Sequence, residues 1–484
     1  MTEYPPRARN WIDGAWCDSA RTGNSVNPAT GEIIGRYADG GAEEARAAIA
    51  AARTAFETTG WRHDRERRAG VLLELADRLA ARREEVITLL ARENGKTVHD
   101  AAIEFGASVP KLRYFAAMAL TDAGRSAEVA PGLHAFSLRE PAGVAGVIVP
   151  WNSPVVLAVR SLAPALAAGC TAVVKMPAQT ALTNHLVAEI VASVRGLPAG
   201  AVNIFTESAD AGARELVASP DVDVLSYTGS SAVGRVIAAN AAATLKPVSL
   251  ELGGKSPMLV FADADLDAVV PVLVKGITTF AGQFCMAGSR VLADAGVADP
   301  LRERLVAALE RVRVGPGEDP ASEMGAMIDR ANVARVDEVV ARAATYGTVL
   351  TRGGPVESGP LAEGAFFRPS LVEVADTGAP IVQEEVFGPV GTFEVFHDEA
   401  DAVRRANATR YGLAASIWTR DVDRPRRVGR DLRVGTVWTN TWGVIADQFE
   451  EGGVKQSGLG RLNGVRGLEE FQETKTYLHR VTGC

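Results

Sequence analysis

The run Val144-Ala145-Gly146-Val147-Ile148-Val149-Pro150-Trp151-Asn152-Ser153-Pro154 decides the fold. Its first six residues are small or β-branched and carry no charge, which reads as a strand buried on both faces. Pro150 ends the strand. Ser153 followed by Pro154 predicts a helix cap with proline at the first helical position, opening an apolar helix that runs to Ala168. The same unit then repeats. Strands are predicted over 171–175, 201–205, 222–227 and 247–252, and helices over 182–194, 209–218 and 232–243. Strands alternating with helices of this length predict an open, mostly parallel α/β sheet. Such sheets bind ligands beyond the carboxyl ends of their strands. Asn152, Lys175 and Gly229-Ser230 stand at those ends.

Upstream, the first forty residues are rich in turns, with Asn27-Pro28-Ala29-Thr30-Gly31 the clearest. Helices are predicted over 43–56, 65–94 and 101–119, their charged groups reading as solvated faces. Residues 128–139 read as extended. Downstream, a helix over 264–281 leads to a second α/β pattern, with helices over 301–312, 332–346 and 400–408 and extended segments at 348–350, after Pro369, at 414–418 and at 437–440. No repeat or low-complexity linker divides the chain. Two interleaved domains in one compact subunit are expected.

The 484 residues are 47% hydrophobic and carry a formal net charge of -8, so no global attraction toward nucleic acid or anionic membrane is expected. No charged segment followed by an apolar run opens the chain, and no apolar run has transmembrane length. The cysteines, at 17, 170, 285 and 484, form neither a disulfide framework nor a zinc pattern. The six histidines lack ligand spacing. These features point to a cytoplasmic protein without a metal.

Five features could carry chemistry. Cys285 lies in Gly282-Gln283-Phe284-Cys285-Met286-Ala287-Gly288-Ser289-Arg290, where the glycines allow a tight backbone that exposes a thiol. A lone cysteine is otherwise a small buried hydrophobe. Asn152 could donate its amide to an oxyanion or simply form a turn. Glu251, between Leu250 and Leu252, could have a raised pKa and activate water, or could pair with Lys255. Gly229-Ser230-Ser231-Ala232-Val233-Gly234 could hold pyrophosphate at a helix N-terminus, or serve close helix–strand packing. Lys175 reads equally as a phosphate or ribose contact and as a solvated lysine.

Glu251-Leu252-Gly253-Gly254-Lys255-Ser256-Pro257 and the cysteine run resemble the two signatures of the NAD(P)-dependent aldehyde dehydrogenase superfamily. Glu93 to Lys96, Pro150 to Pro154, Thr228 to Ser230, Glu384 to Val390 and Gly452 to Arg461 extend the likeness along the chain. The resemblance implies a Rossmann-like coenzyme domain (1–122 and 142–253), a catalytic domain (254–452), and a small β oligomerisation element formed by 123–141 with the return segment and tail, 453–484. It implies a homodimer or homotetramer acting on a small-molecule aldehyde. Cys285 would attack the aldehyde, Asn152 and the Cys285 amide would stabilise the oxyanion, and Glu251 would activate water. Val149, Pro150, Trp151, Lys175, Ala178, Gly229, Ser230, Gly234, Leu252, Glu385 and Phe387 would line the dinucleotide. Lys175 would meet the adenosine ribose, Ser230 the pyrophosphate, and Glu385 with Phe387 the nicotinamide end.

Ser153, Val156, Leu157, Arg160, Phe284, Met286, Ile445 and Glu451 would form the substrate channel, with Phe284 and Met286 as walls rather than core. Ser153 and Glu451 replace rings common in the family, and Arg160 stands at a position that is often tryptophan. A wider, more polar channel for a bulky or polar aldehyde is expected, unless Arg160 and Glu451 pair with each other at its rim. Ala178 replaces the glutamate usual in NAD-preferring members, so NADP tolerance is expected. A coenzyme A-acylating dehydrogenase or a thiol esterase is the alternative, and retention of Glu251 favours hydrolysis.

Overall fold

A computed structural model describes residues 7–481. Val144–Ile148, buried at every position, lies inside an eight-stranded sheet. Thr171–Pro177 and then Val202–Glu207 extend the sheet on one side, and Val224–Thr228 and then Val248–Glu251 on the other, all parallel. The chain thus builds outward to one edge and returns to begin the other. The reversal between Val144–Ile148 and Val224–Thr228 leaves a crevice at the carboxyl ends of those strands. Both edges end in short antiparallel strands, Asn10–Ile12 with Ala15–Cys17 at one and Gly458–Leu459 at the other, which keeps the exposed pairing edges short.

The helix Pro154–Ala168 is buried along almost its whole length because two layers cover it. The sheet lies on one face, and Arg65–Ala81 and Val98–Thr121 pack on the other, in a core that includes Leu72, Phe115, Leu162 and Leu166. The helix expected over 65–94 is two helices, Arg65–Ala81 and Arg83–Asn94. Arg82 leaves helical geometry between them, and its guanidinium ties Glu85 to Glu189. The charges of these helices are not all solvated: Asp100, Glu104 and Lys111 are buried.

The second large sheet has seven strands, in the order Thr348–Thr351, Ser370–Glu373, Val390–Phe396, Arg290–Asp294, Pro257–Val260, Ala414–Trp418 and Thr436–Thr439. Only the first is antiparallel to its neighbour. The strand Pro257–Val260 escaped prediction because four residues beginning with proline give no periodic signal. The helix Arg424–Asp431 escaped because it buries only Val428 and is held instead by Arg424 and Arg427 on Asp263, Glu399 and Asp421. The extended segment expected over 128–139 is a hairpin, Arg125–Ala130 with Leu133–Pro141, and Gln472–Arg480 pairs with its second strand. Phe136 stacks on Tyr477 there at 4.8 Å, while Leu478 stays exposed. No helix among the described residues is long and apolar enough to cross a membrane.

Inside the second sheet Arg290 makes a two-pronged pair with Glu394 at 2.8 and 2.9 Å, both side chains fully buried. Removing one partner strands the other charge in a low-dielectric interior. Glu394→Ala is therefore expected to destabilise the protein by about 3–5 kcal/mol, measured by denaturant titration, whereas a loss below about 1 kcal/mol would show that Arg290 finds other partners.

Candidate active site

The helix Leu266–Thr278 delivers the chain to the cysteine segment, and the helical path ends abruptly there. Phe280, Ala281 and Gly282 all take left-handed backbone, with φ of 55°, 52° and 70°. Strain of this kind at two non-glycine residues persists only where the surroundings enforce it. A side chain at Gly282 would stand 2.2 Å from the Gly388 carbonyl carbon, so only glycine passes. Gln283 then fixes the turn: its Nε2 donates to the Phe280 carbonyl at 3.1 Å and its Oε1 accepts from the Ile328 amide at 3.0 Å.

Asn152 reaches this turn from the first sheet. Its Nδ2 donates to the Gln283 carbonyl at 3.0 Å, so the asparagine is more than a turn former. Asn94 holds the preceding residue by donating to the Trp151 carbonyl at 2.7 Å. The helix that follows is not capped by the Ser153 side chain. Glu104 takes that role, accepting from the amides of Val155 at 2.9 Å and Val156 at 3.4 Å. Lys96 pairs with Glu104, donates to Ser153 Oγ at 3.2 Å, and lies 4.1 Å above the Phe280 ring. Glu104 was missed as a support of the site because its charge, read along a helical face, looks solvated, and Lys96 because it stands in the break between two helices with no local pattern.

Cys285 is half-buried. Its surroundings push the thiol up to about 12, through burial first and then the Glu451 carboxylate, with Arg160 opposing and Glu385 and Glu251 adding to the rise. Phe284 is half-buried and meets Trp442 edge-on at 5.8 Å. Met286 corrects the expectation of a channel wall: it is 1% exposed and packs with Leu413, Ala414 and Trp438. Trp442, absent from the expected site, donates its indole N–H to the Met286 carbonyl at 3.1 Å.

Glu251 closes its strand in register with Thr228. It is 4% exposed, and its Oε1 has no hydrogen-bond partner. Burial raises its pKa to about 8, with Arg160 and Arg461 opposing and Glu451 and Glu470 adding. Pairing with Lys255 does not occur, since the Lys255 ammonium also lacks a partner and burial lowers its pKa to about 7. Gly452 is required opposite: its Cβ would stand 2.7 Å from Glu251 Oε1.

Arg160 and Glu451 do pair with each other, at 2.7 Å, yet in the interior rather than at an open rim, with exposures of 3% and 6%. Arg160 Nη2 also donates to Thr228 Oγ1 at 2.8 Å. Asn463 Nδ2 donates to the second Glu451 oxygen at 3.0 Å, and Lys111 Nζ donates to Asn463 Oδ1 at 2.7 Å and to Asp447 at 2.5 Å. No local pattern in the sequence links Lys111 to Asn463. Among the other expected channel residues, Val156 is half-buried, Leu157 and Ser153 are buried, and Ile445 is 42% exposed.

The strand-end crevice gathers the remaining positions. Val149 is buried, with Pro150 and Trp151 half-buried after it, and Trp151 meets Phe387 edge-on at 5.5 Å. Lys175 is largely buried rather than solvated, and burial lowers its pKa while Glu207, Asp210 and Asp39 oppose the shift. Ala178 follows it half-buried. Ser230, exposed beside Gly229, caps the helix Ser231–Ala241 by accepting from the Val233 amide at 3.3 Å. Gly234 serves packing, since its Cβ would stand 2.5 Å from Leu252 Cδ2. Leu252 donates its amide to the Ser457 carbonyl at 2.9 Å. Glu385 accepts from the Gly254 amide at 3.2 Å, and burial raises its pKa to about 7. A half-buried cation at one strand end, an exposed helix N-terminus after another and a carboxyl beside Gly254 fit a dinucleotide's phosphates and ribose hydroxyls. Among the described residues no histidine, cysteine and carboxylate cluster could hold a metal.

A thiol, an amide donor and a buried carboxyl with a raised pKa can together form and break an acyl–cysteine bond. Comparison with known proteins agrees with that chemistry. The profile of the aldehyde dehydrogenase family matches residues 16–477. Betaine aldehyde dehydrogenase of Bacillus subtilis is 36% identical over 98% of this chain and 97% of its own length. The NADP(+) succinate-semialdehyde dehydrogenase of Escherichia coli is 37% identical over 97% of each chain. The crystal structure of betaine aldehyde dehydrogenase from Staphylococcus aureus in complex with NAD+ superimposes with a TM-score of 0.96 at 35% identity, covering 99% of this chain and 96% of that one.

Because its surroundings raise the Cys285 pKa, the residue is a neutral thiol near pH 7 and gains thiolate only as pH rises. Alkylation of Cys285 by iodoacetamide, followed by peptide mass, is expected to accelerate about tenfold per pH unit without a plateau below pH 10. A plateau near pH 8 would contradict the surroundings described.

Proposed function

The chain belongs to the aldehyde dehydrogenase family, and from that premise we propose that it oxidises a bulky or polar aldehyde to the carboxylic acid, with Cys285 as nucleophile and NAD or NADP as cofactor. The observation that carries this reading is the meeting of Asn152 with the cysteine turn while Glu251 keeps an unpartnered buried oxygen. The Asn152 amide has two N–H donors. One is held by the Gln283 carbonyl, which orients the group and leaves the other for the oxyanion formed when Cys285 Sγ adds to the aldehyde carbon. The bound cofactor supplies the hydride acceptor. Glu251, once ionised, takes a proton from the water that releases the acid from the resulting thioester.

Around the crevice, Lys175 and Ser230 would hold the ribose and pyrophosphate, and Glu385 with Phe387 the nicotinamide end. Ala178 puts no carboxylate where a 2′-phosphate would lie, so NADP is tolerated. Relatives differ in the same respect, one being named for NADP(+) and another crystallised with NAD+. Ser153 offers a hydroxyl engaged by Lys96 instead of a ring, and Arg160 with Glu451 adds polar surroundings, which supports the bulky or polar substrate. The exposed Leu138 and Leu478 on the three-stranded sheet support assembly at least to a homodimer.

The test is an aldehyde panel assayed with each cofactor by reduced-nicotinamide absorbance, with Cys285→Ala as control. Turnover that vanishes in the control and favours larger or polar aldehydes is expected, with both cofactors reduced. An absolute requirement for coenzyme A would overturn hydrolysis, acetaldehyde or propanal as best substrate would overturn the substrate class, and negligible NADP turnover would overturn the role of Ala178.

A further inference from the structure

We propose that the buried Arg160–Glu451 pair makes the Cys285 site select against aldehydes that carry a carboxylate, admitting uncharged ones. The inference deepens the oxidation reading and rests on it for the identity of the natural ligand. Glu451, Arg160, Glu385 and Glu251 are the ionisable groups that act most strongly on the thiol. Arg160 is the one cation among them, and Glu451 at 2.7 Å already neutralises it. Its Nη2 is held by Thr228 at 2.8 Å, and the other Glu451 oxygen by Asn463 at 3.0 Å, so neither partner can turn away without breaking a second bond. The next cations outward are also matched, Lys111 by Asp447 and Lys96 by Glu104.

A substrate carboxylate entering here would shed its water and meet the Glu451 carboxylate with Arg160 already paired, while burial lowers the pKa of the unpartnered Lys255 amine to about 7 and so weakens it as an anion receptor. Burying an ion in that state is strongly unfavourable. An uncharged tail has no such penalty, and the buried Arg160 Nε, which lacks a partner, can donate to its carbonyl or hydroxyl oxygen without changing the charge balance. Glu451 is therefore a specificity-determining residue that acts by neutralising Arg160. Without it the guanidinium would be an anion receptor beside the thiol.

Two alkylating agents of nearly equal shape test this on the full-length protein. Iodoacetamide is neutral and iodoacetate anionic, and the rate of each at Cys285 is followed by peptide mass at pH 9 and divided by its rate with glutathione. The wild-type protein is expected to prefer iodoacetamide at least tenfold more than glutathione does, and Glu451→Gln, verified as folded by its thermal transition, is expected to lose most of that preference. The kcat/KM ratio of an uncharged aldehyde to the same chain ending in a carboxylate should change in the same direction. A wild-type preference equal to that of glutathione would overturn the proposal whether or not the variant folds. A folded Glu451→Gln that keeps the full preference would overturn the role of the pair. Alkylation needs no turnover, so failure of every aldehyde would count against oxidation while the alkylation ratio still decided selectivity.

Discussion

The site depends on one hydrogen bond, from Asn152 Nδ2 to the Gln283 carbonyl. Asn152 hangs from the end of a central strand of the first sheet, and Gln283 belongs to a turn built by the second. Neither sheet alone contains an amide donor beside a thiol. The bond fixes their separation and chooses which amide proton remains available. Each end is held by other contacts: Lys96 and Glu104 pin the start of the helix after Asn152, and Gln283 uses its own side chain to lock the turn. The left-handed residues Phe280 and Ala281 are the local consequence, since the chain must leave a helix and present a thiol within seven residues of its end.

Buried charge is the second organising constraint. Glu251, Glu451, Arg160, Lys255 and Lys111 all lie where water is scarce. Most are neutralised in pairs, which is what allows a polar interior without large cost. Glu251 and Lys255 are the exceptions: the Lys255 ammonium has no partner, and Glu251 has one oxygen unpartnered and a pKa raised to about 8. A carboxyl held this way is neutral at lower pH and becomes a base as pH rises, the behaviour needed to release an acyl group. The same pairing of charge occupies Arg160, the cation that acts on the thiol, and so links selectivity to the packing of the helix that carries it.

Much of this was legible in the amino-acid sequence. The uncharged run from Val144 and its repeats specified the parallel sheet, because a strand buried on both faces carries charge only where a partner or a function demands it. Glu251, Asn152 and Cys285 were recognisable from their signatures. Two kinds of feature were hidden. Charged residues on helices, such as Glu104 and Lys111, look solvated until another layer covers them. Contacts between distant segments, such as Arg160 with Glu451 or Trp442 with the Met286 carbonyl, leave no local pattern. Met286 was misplaced for the same reason, since only the strands beneath it decide that it belongs to the core.

In the proposed mechanism Cys285 accepts the acyl group and Glu251 releases it. Intact-protein mass of Glu251→Gln, mixed with aldehyde and cofactor and quenched in acid, separates the two roles. One acyl group per chain, mapped to Cys285, is expected after a single burst of reduced cofactor and no further turnover. Sustained turnover by the variant, or an acyl group found elsewhere, would contradict it.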